Sequence, residues 1–543
     1  MAIVLDEVTR AAYLAQSLAS SRASLVVSAL TTPVVVEVYD GLNVLRASGT
    51  MAVPWATSSG STITVGEVNA SGITVSSGGS PDANWYCQFK GANGRFVRGT
   101  FGVSGSGRDF KWSLTSFQTG SRGTLGTVTV TAAGTSPRIY SSDLTYVGSF
   151  RLPNPSGGSF NLAGFGGTRT GMAFNPAGNG GAGSLYVVGE FGQVCAEVSI
   201  PTLNDSGVLG NLSTAATLQN FADPTEGQYS EIDPSPQGTF MRGLYVHNGR
   251  LIVGAYDFYD ANGSQVASHF SRPLNLSTTG DVKGAVPLVA NLADVRYPVG
   301  GMCAVPAAVQ SAYGIKPVLT GGGGGSILSG LSAGPSAFAF DPDDIGVSTI
   351  NAQPLMYYPW DTSGGVARHL PALFGYMTGM NMPSGANAVA NEWWVPTSFA
   401  SAVAWLETRP VVLFCGTHAS GNPWYGSTDG AGNFVSGSGA GAPPGGTGYD
   451  PARPGGGEHA YPYNMQFWAY DQSELISVLQ GSKQPWQATP YARWSFSSPF
   501  TQASTTGFLT GCTHDPATRR IFVAEYAADG GKPLVHVYTY PAS

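Results

Sequence analysis

One short pattern recurs along this chain and constrains its fold more than any other feature. A run of β-branched and aromatic residues is bounded by Gly, Pro and Asp breakers, then answered by a second such run after a tight turn. The fullest copy occupies residues 507–540. It reads Gly511-Cys512-Thr513-His514-Asp515-Pro516, a polar turn, Ile521-Phe522-Val523-Ala524-Glu525-Tyr526, a Gly-Gly turn, and Leu534-Val535-His536-Val537-Tyr538-Thr539-Tyr540. Strand, turn, strand, turn, strand is the grammar of a propeller blade. Shorter copies stand at 171–189, at 241–256 around the turn Asn248-Gly249, at 300–306, 337–342, 403–416 and 465–471. Their spacing is irregular, so they read as degenerate blades and not as a strict repeat.

The expectation is a β-propeller of about five to seven blades over residues 144–543, in a chain that is mainly β. A strand-like segment at 144–153 precedes the first copy. It is expected to pair with the sheet of residues 511–540, because letting one terminus complete the blade of the other removes exposed sheet edges. Two Gly-rich stretches read as insertions: residues 321–325, and a long loop at 427–457 with too little apolar surface to pack by itself. His514 and Asp515 read as strand-end and turn residues, as do Asp233, Asp341 and Asp471.

Upstream the text changes. Leu5, Val8, Ala12, Ala15 and Ala19 recur at spacings of three and four behind Asp6 and Glu7, so a helix is expected within residues 1–30. From 31 to 135 short strands follow, among them a hairpin of Val34 to Tyr39, the turn Asp40-Gly41, and Leu42 to Arg46. About seven strands in about 100 residues is the size of a small β-sandwich. Residues 136–143 are expected to be a linker.

At 543 residues the chain exceeds what a single core usually supports. It has 75 Gly and 36 Pro, yet 42% of its residues are hydrophobic, which excludes wholesale disorder. Charged residues make up 11%, against about 25% in ordinary soluble domains, so Ser, Thr, Asn and Gly must dominate the surface. The net charge of −7 and the absence of any Lys/Arg cluster argue against nucleic acid as a partner. No apolar run approaches about 18 residues, so no membrane span is expected. The first ten residues lack the apolar core of a signal peptide. Synthesis in a cytoplasm and an extracellular composition are reconciled in a virion component released by lysis. Cys87, Cys195, Cys303, Cys415 and Cys512 are far apart and read as buried small hydrophobes, with one or two disulfides as the alternative.

The densest set of aromatic and polar residues flanks the 427–457 loop. His418, Asn422, Trp424 and Tyr425 lie before it, and Tyr449, Asp450, Arg453, Glu458, His459, Tyr461 and Tyr463 lie within or after it. Aromatic faces stack on the C–H faces of sugars while amides, carboxylates and guanidinium groups bond the hydroxyls. These eleven residues are therefore the candidate glycan contacts, weighed against a loop merely anchored by its aromatics. No catalytic residue, metal site or cofactor is expected. Asp450 with Glu458, or Glu231 with Asp233, would be the carboxylate pair of the alternative, a polysaccharide-degrading enzyme. Asp260-Ala261-Asn262-Gly263-Ser264 resembles the start of a calcium loop but lacks the acid twelve positions on, so a turn is expected. Ser427-Thr428-Asp429-Gly430 is similar to the structural Asp-box turn of sialidase propellers.

Taken with the helix behind Asp6-Glu7-Val8-Thr9-Arg10 and the hairpin at 34–46, this organisation resembles virion proteins of tailed bacteriophages, of fibre, spike or decoration type. The resemblance implies attachment to other virion proteins through residues 1–135, a homo-oligomer, and a distal propeller that meets a host-surface glycan or protein. A purely structural capsid decoration protein is the further alternative.

Overall fold

In a computed structural model the chain divides into two compact units, Met1–Ser136 and Pro137–Ser543. The structure describes most of residues 138–542, apart from short gaps and the longer stretches 161–170, 362–367, 370–393, 437–447 and 501–507; before residue 138 it describes seven strands only. The helix expected within residues 1–30 lies outside the described residues.

Among the described residues the chain is mainly β. In the first unit the seven strands form one hydrogen-bonded series. Its centre is the pair Val34–Tyr39 and Leu45–Met51, antiparallel as the hairpin pattern requires, with Val34 opposite Met51. Strand Tyr86–Lys90 pairs on the other side of Val34–Tyr39.

Among the described residues the second unit holds five antiparallel sheets of four or five strands, here sheets I to V, besides three smaller sheets of two or three strands. Sheet I holds Met172–Asn175, Ser184–Val188, Cys195–Ser199 and Thr217–Ala222. Sheet II holds Thr239–His247, Arg250–Asp257, His269–Pro273 and Lys283–Val286. Sheet III holds Gly301–Ala304, Val318–Gly321, Ala337–Phe340 and Gln353–Met356. Sheet IV holds Phe399–Trp405, Val411–Ala419, Tyr463–Asp471 and Ala492–Ser495, with the short strand Gly323–Gly324 on its inner edge. Sheet V holds Leu509–Asp515, Arg520–Asp529, Lys532–Thr539 and, from far upstream, Thr145–Arg151. The first strands of the five sheets touch one another in cyclic order, with that of sheet V against that of sheet I.

The expected pairing of the upstream strand is met. Thr145–Arg151 runs antiparallel to Lys532–Thr539, with Ser149 opposite His536 and Arg151 opposite Leu534. Side chains reinforce the ladder. Tyr146 Oη lies 2.7 Å from Ser149 Oγ, Ser149 Oγ 2.7 Å from His536 Nδ1, and His536 Nε2 2.9 Å from Glu525 Oε2. The chain crosses three strands, and Ser149, His536 and Glu525 are buried. In such a site each bond is strengthened by the low local dielectric and each missing partner is costly. Arg151 adds a two-pronged pair with Asp529 at 3.0 and 2.9 Å.

Small residues allow the first strands to converge. A Cβ on Gly243 would sit 1.6 Å from the Gly300 carbonyl oxygen, and one on Gly301 would sit 2.5 Å from Ala402 Cα. Sheets II, IV and V share a further device: the first strand bulges at Arg242, Ser401 and Thr510, just before the small residues Gly243, Ala402 and Gly511. All three bulge residues are buried, and all find carbonyls. Ser401 Oγ donates to Leu509 O, Thr510 Oγ1 to Ala524 O, and Arg242 Nη2 to Gly323 O, Gly324 O and Ala400 O.

Three expectations change here. The Gly-rich stretch at 321–325 is not a simple insertion: Gly321 ends a sheet III strand and Gly323–Gly324 pairs with sheet IV at Phe399 and Ala400. Glycine is needed there because a Cβ on Gly321 would lie 1.8 Å from Ser336 O. The two ends of the 427–457 region join a small sheet, in which Trp424–Thr428 is flanked by Phe434–Ser436 and Gly455–His459. A backbone ladder needs no side chains, so glycines that read as loop still pair. Residues 138–143 are not a free linker: Ile139 is buried, Arg138 bonds Asp471, and Tyr491 Oη bridges the Ile139 backbone.

The turn residues behave as read. Asp233, Asp341, Asp471 and Asp515 each accept the backbone N–H two positions on. His514 donates to or accepts from Tyr540 Oη at 2.7 Å. Cys195, Cys303, Cys415 and Cys512 are buried and unbridged, and burial pushes the Cys195 and Cys303 thiols up to about 12. Among the described residues no helix is long and apolar enough to cross a membrane.

Candidate functional site

The small sheet grows out of sheet IV between Val411–Ala419 and Tyr463–Asp471, strands in register from Val411 opposite Asp471 to Ala419 opposite Tyr463. Its anchor is Asp450, which is fully buried. Asp450 Oδ1 accepts the backbone N–H groups of Ala452 and Arg453, both at 3.1 Å. Its Oδ2 accepts the Tyr463 hydroxyl at 2.8 Å and faces His459 Nδ1 at 2.9 Å. The Tyr463 hydroxyl in turn accepts the Ala460 N–H at 3.0 Å, and burial raises its pKa. His459, also fully buried, sets its Nε2 3.2 Å from the Gly426 carbonyl. Four polar groups thus surround the buried carboxyl, which is not left without partners.

Aromatic packing closes the anchor. Trp424 stacks on His459 with ring centroids 4.0 Å apart and 20° between planes, and Phe434 covers it at 5.7 Å. The Arg453 guanidinium lies 4.9 Å over the Tyr463 ring and 5.7 Å over Phe508. The structure thus brings Trp424, Asp450, Arg453, His459 and Tyr463 together, with Trp424, Asp450 and His459 buried and Arg453 and Tyr463 half-buried. His418 is elsewhere: it is buried on sheet IV, edge-on to Trp468 at 6.3 Å. Burial, with a smaller contribution from Arg493, lowers its pKa to about 4. Asn422 and the side chains of Tyr425 and Glu458 lie outside the described residues.

What remains at the surface is narrower than the sequence suggested. Tyr449 is 49% exposed and meets Tyr461 edge-on at 5.7 Å. Tyr449 forms an antiparallel bridge with Asn433, which puts their side chains on one face. Asn433 Nδ2 donates to Asp429 Oδ2 at 3.0 Å, and Asp429 also accepts the N–H groups of Ala431 and Asn433. Those bonds, the Asn433 side chain's first, hold the Asp429 carboxyl below its ordinary pKa. The Asp-box-like segment is therefore a turn, and Asn433, absent from the sequence-stated set, joins the exposed rim. The loop that resembled a calcium site is occupied by protein: Asp260 pairs with Arg296 at 3.0 Å and accepts the Ser264 and Gln265 N–H groups.

No family model matches the chain, and no curated protein does. Among solved structures it shows likeness to a luciferin-regenerating enzyme, at 7% identity over 68% of this chain and 77% of that one, with a TM-score of 0.26. A glycoside hydrolase of the GH130 mannoside phosphorylase family aligns at 10% identity over 73% and 95%, with a TM-score of 0.29. A glycosyl hydrolase from Bacteroides ovatus aligns at 11% identity over 74% and 96%, with a TM-score of 0.27. Likeness at this level carries no argument about fold or function.

Proposed function

We propose that the chain is a tailed-bacteriophage virion protein of fibre, spike or decoration type, whose second unit is a five-bladed β-propeller that binds a host-surface glycan. Support for the propeller comes from the five antiparallel sheets, the cyclic contacts of their first strands, and the last sheet shared between the two ends of the unit. The observation that carries the binding reading is the exposed Tyr449 face, with Asn433, Asp429 and Tyr461 beside it, set on the satisfied Asp450–His459–Tyr463 base. A rigid scaffold that presents an aromatic face and amide and carboxylate groups suits stacking and hydrogen bonding to a sugar. Low surface charge fits the same mode. Residues 1–135 supply attachment to other virion proteins, and several copies per particle turn weak single contacts into avidity.

The test is adsorption of labelled full-length protein to bacterial cells and to a microbial glycan array. Retention that soluble polysaccharide from the same cells competes away supports the reading. A chain inert on both is a structural virion component, and the adhesion reading fails.

A further inference from the structure

We propose that His247, Asp341 and Asp343 form a binding site for one first-row divalent transition-metal ion, with Zn2+ as its natural probe. The site lies away from the Tyr449 face and does not rest on the glycan reading. His247 ends the first strand of sheet II, while Asp341 and Asp343 belong to the turn after Ala337–Phe340 in sheet III. One ligand atom from each residue lies within 4.8 Å of the other two. His247 Nε2 and Asp343 Oδ1 are 3.6 Å apart, close to the spacing of about 3.4 Å between two ligands on a tetrahedral ion with bonds of about 2.1 Å.

Two further features suit a cation. Asn248 Nδ2 sits 3.1 Å from His247 Nε2 and 2.9 Å from Asp343 Oδ2. The amide fills the place between these two atoms that the ion would take, so Asn248 turns aside when metal binds. The amide's partial positive charge thus stands between two of the ligands. Asn248 and Gly249, at φ 46° and 75°, make the left-handed hairpin turn that aims this side chain. Second, among the described residues neither Asp341 nor Asp343 is paired with a Lys or Arg. Asp341 Oδ1 accepts the Asp343 N–H, which holds the two carboxylates side by side. Two carboxylates and one imidazole make a donor set for one divalent ion.

The donor set chooses among ions. Ca2+ takes six to eight oxygens and Mg2+ keeps most of its waters, whereas one imidazole and two carboxylates with solvent on the open side suit zinc and its neighbours. His247 is also a distinctive reporter: His269, His418, His459 and His536 are buried. Bound metal would fasten the sheet II hairpin to the sheet III turn.

The experiment is calorimetric titration of EDTA-treated full-length protein with Zn2+, paralleled by thermal melts and by visible absorption of the Co2+ form. Expected are about one ion per chain, an upward melting shift at saturation, and d–d bands from a site of low coordination number. His247→Gln and Asp343→Asn should each weaken binding by about tenfold or more, while both variants melt like the metal-free parent. The proposal is overturned if Zn2+ does not bind, if binding survives in both ligand variants, or if Ca2+ gives the same shift.

Discussion

Removal of residues 534–543 tests the closure of the second unit. The deleted segment carries Leu534, Val535 and Val537, all fully buried, with Tyr538 and Tyr540 at 7% and 2% exposure. Burying one such side chain contributes about 1.5–3 kcal/mol, so the five together account for about 7–15 kcal/mol. That equals the whole stability of an ordinary domain, about 5–15 kcal/mol. The deletion also strips Thr145–Arg151 of its ladder and leaves Glu525 buried without His536. The expected outcome is a chain with no cooperative transition of this unit by calorimetry, loss of near-ultraviolet circular dichroism, and gain of dye binding to exposed apolar surface. A truncated chain whose unit still melts cooperatively within a few degrees of the parent refutes the closure.

Other outcomes follow from the same structure. Asp450→Asn exchanges an acceptor-only group for an amide facing four donors, so the small sheet should loosen and be cut first in limited proteolysis, with a loss of about 1–3 kcal/mol. Equal protease resistance would show that Asp450 is not the anchor. Burial keeps His269 neutral down to about pH 3, and His418 and His514 down to about pH 4. Unfolded histidine takes up a proton below about pH 6.5, so the unfolded state binds more protons in that window. Stability should fall as pH drops from about 6.5 towards 4, by about 1.4 kcal/mol per pH unit for each ring; a urea midpoint unchanged between pH 7 and 4.5 would contradict this. Finally, Cys195, Cys303, Cys415 and Cys512 should resist a thiol reagent in native buffer and react on denaturation, whereas rapid native labelling of any of them would place it at a surface.

Much of the sheet framework was legible because each strand wrote its own signal. Runs such as Ile521-Phe522-Val523-Ala524 and Leu251-Ile252-Val253 are buried along their length, and the Asp residues at their ends cap turns as their chemistry dictates. The upstream strand was legible for a different reason, since a sheet edge left open invites pairing and residues 144–153 were the strand without a partner. Glycine concealed the rest. Gly323–Gly324 and Gly455–His459 pair through backbone alone, and their composition reads as loop. The sequence grouped the candidate residues but not the bonds among them. Nothing in the spacing of Asp450, His459 and Tyr463 says that they share a proton network and leave Tyr449 at the surface. The His247, Asp341 and Asp343 cluster was not legible because its histidine and its carboxylates stand on different sheets and meet only through packing.

The most direct measurement is the affinity of full-length protein and its Tyr449→Ala variant for the best glycan found on the array. Tyr449 is half-exposed and its ring meets Tyr461 edge-on, so the variant should keep the parental melting temperature while its affinity falls by about tenfold, the value of one lost stacking contact of about 1–1.5 kcal/mol. Unchanged affinity in a folded variant would contradict the account.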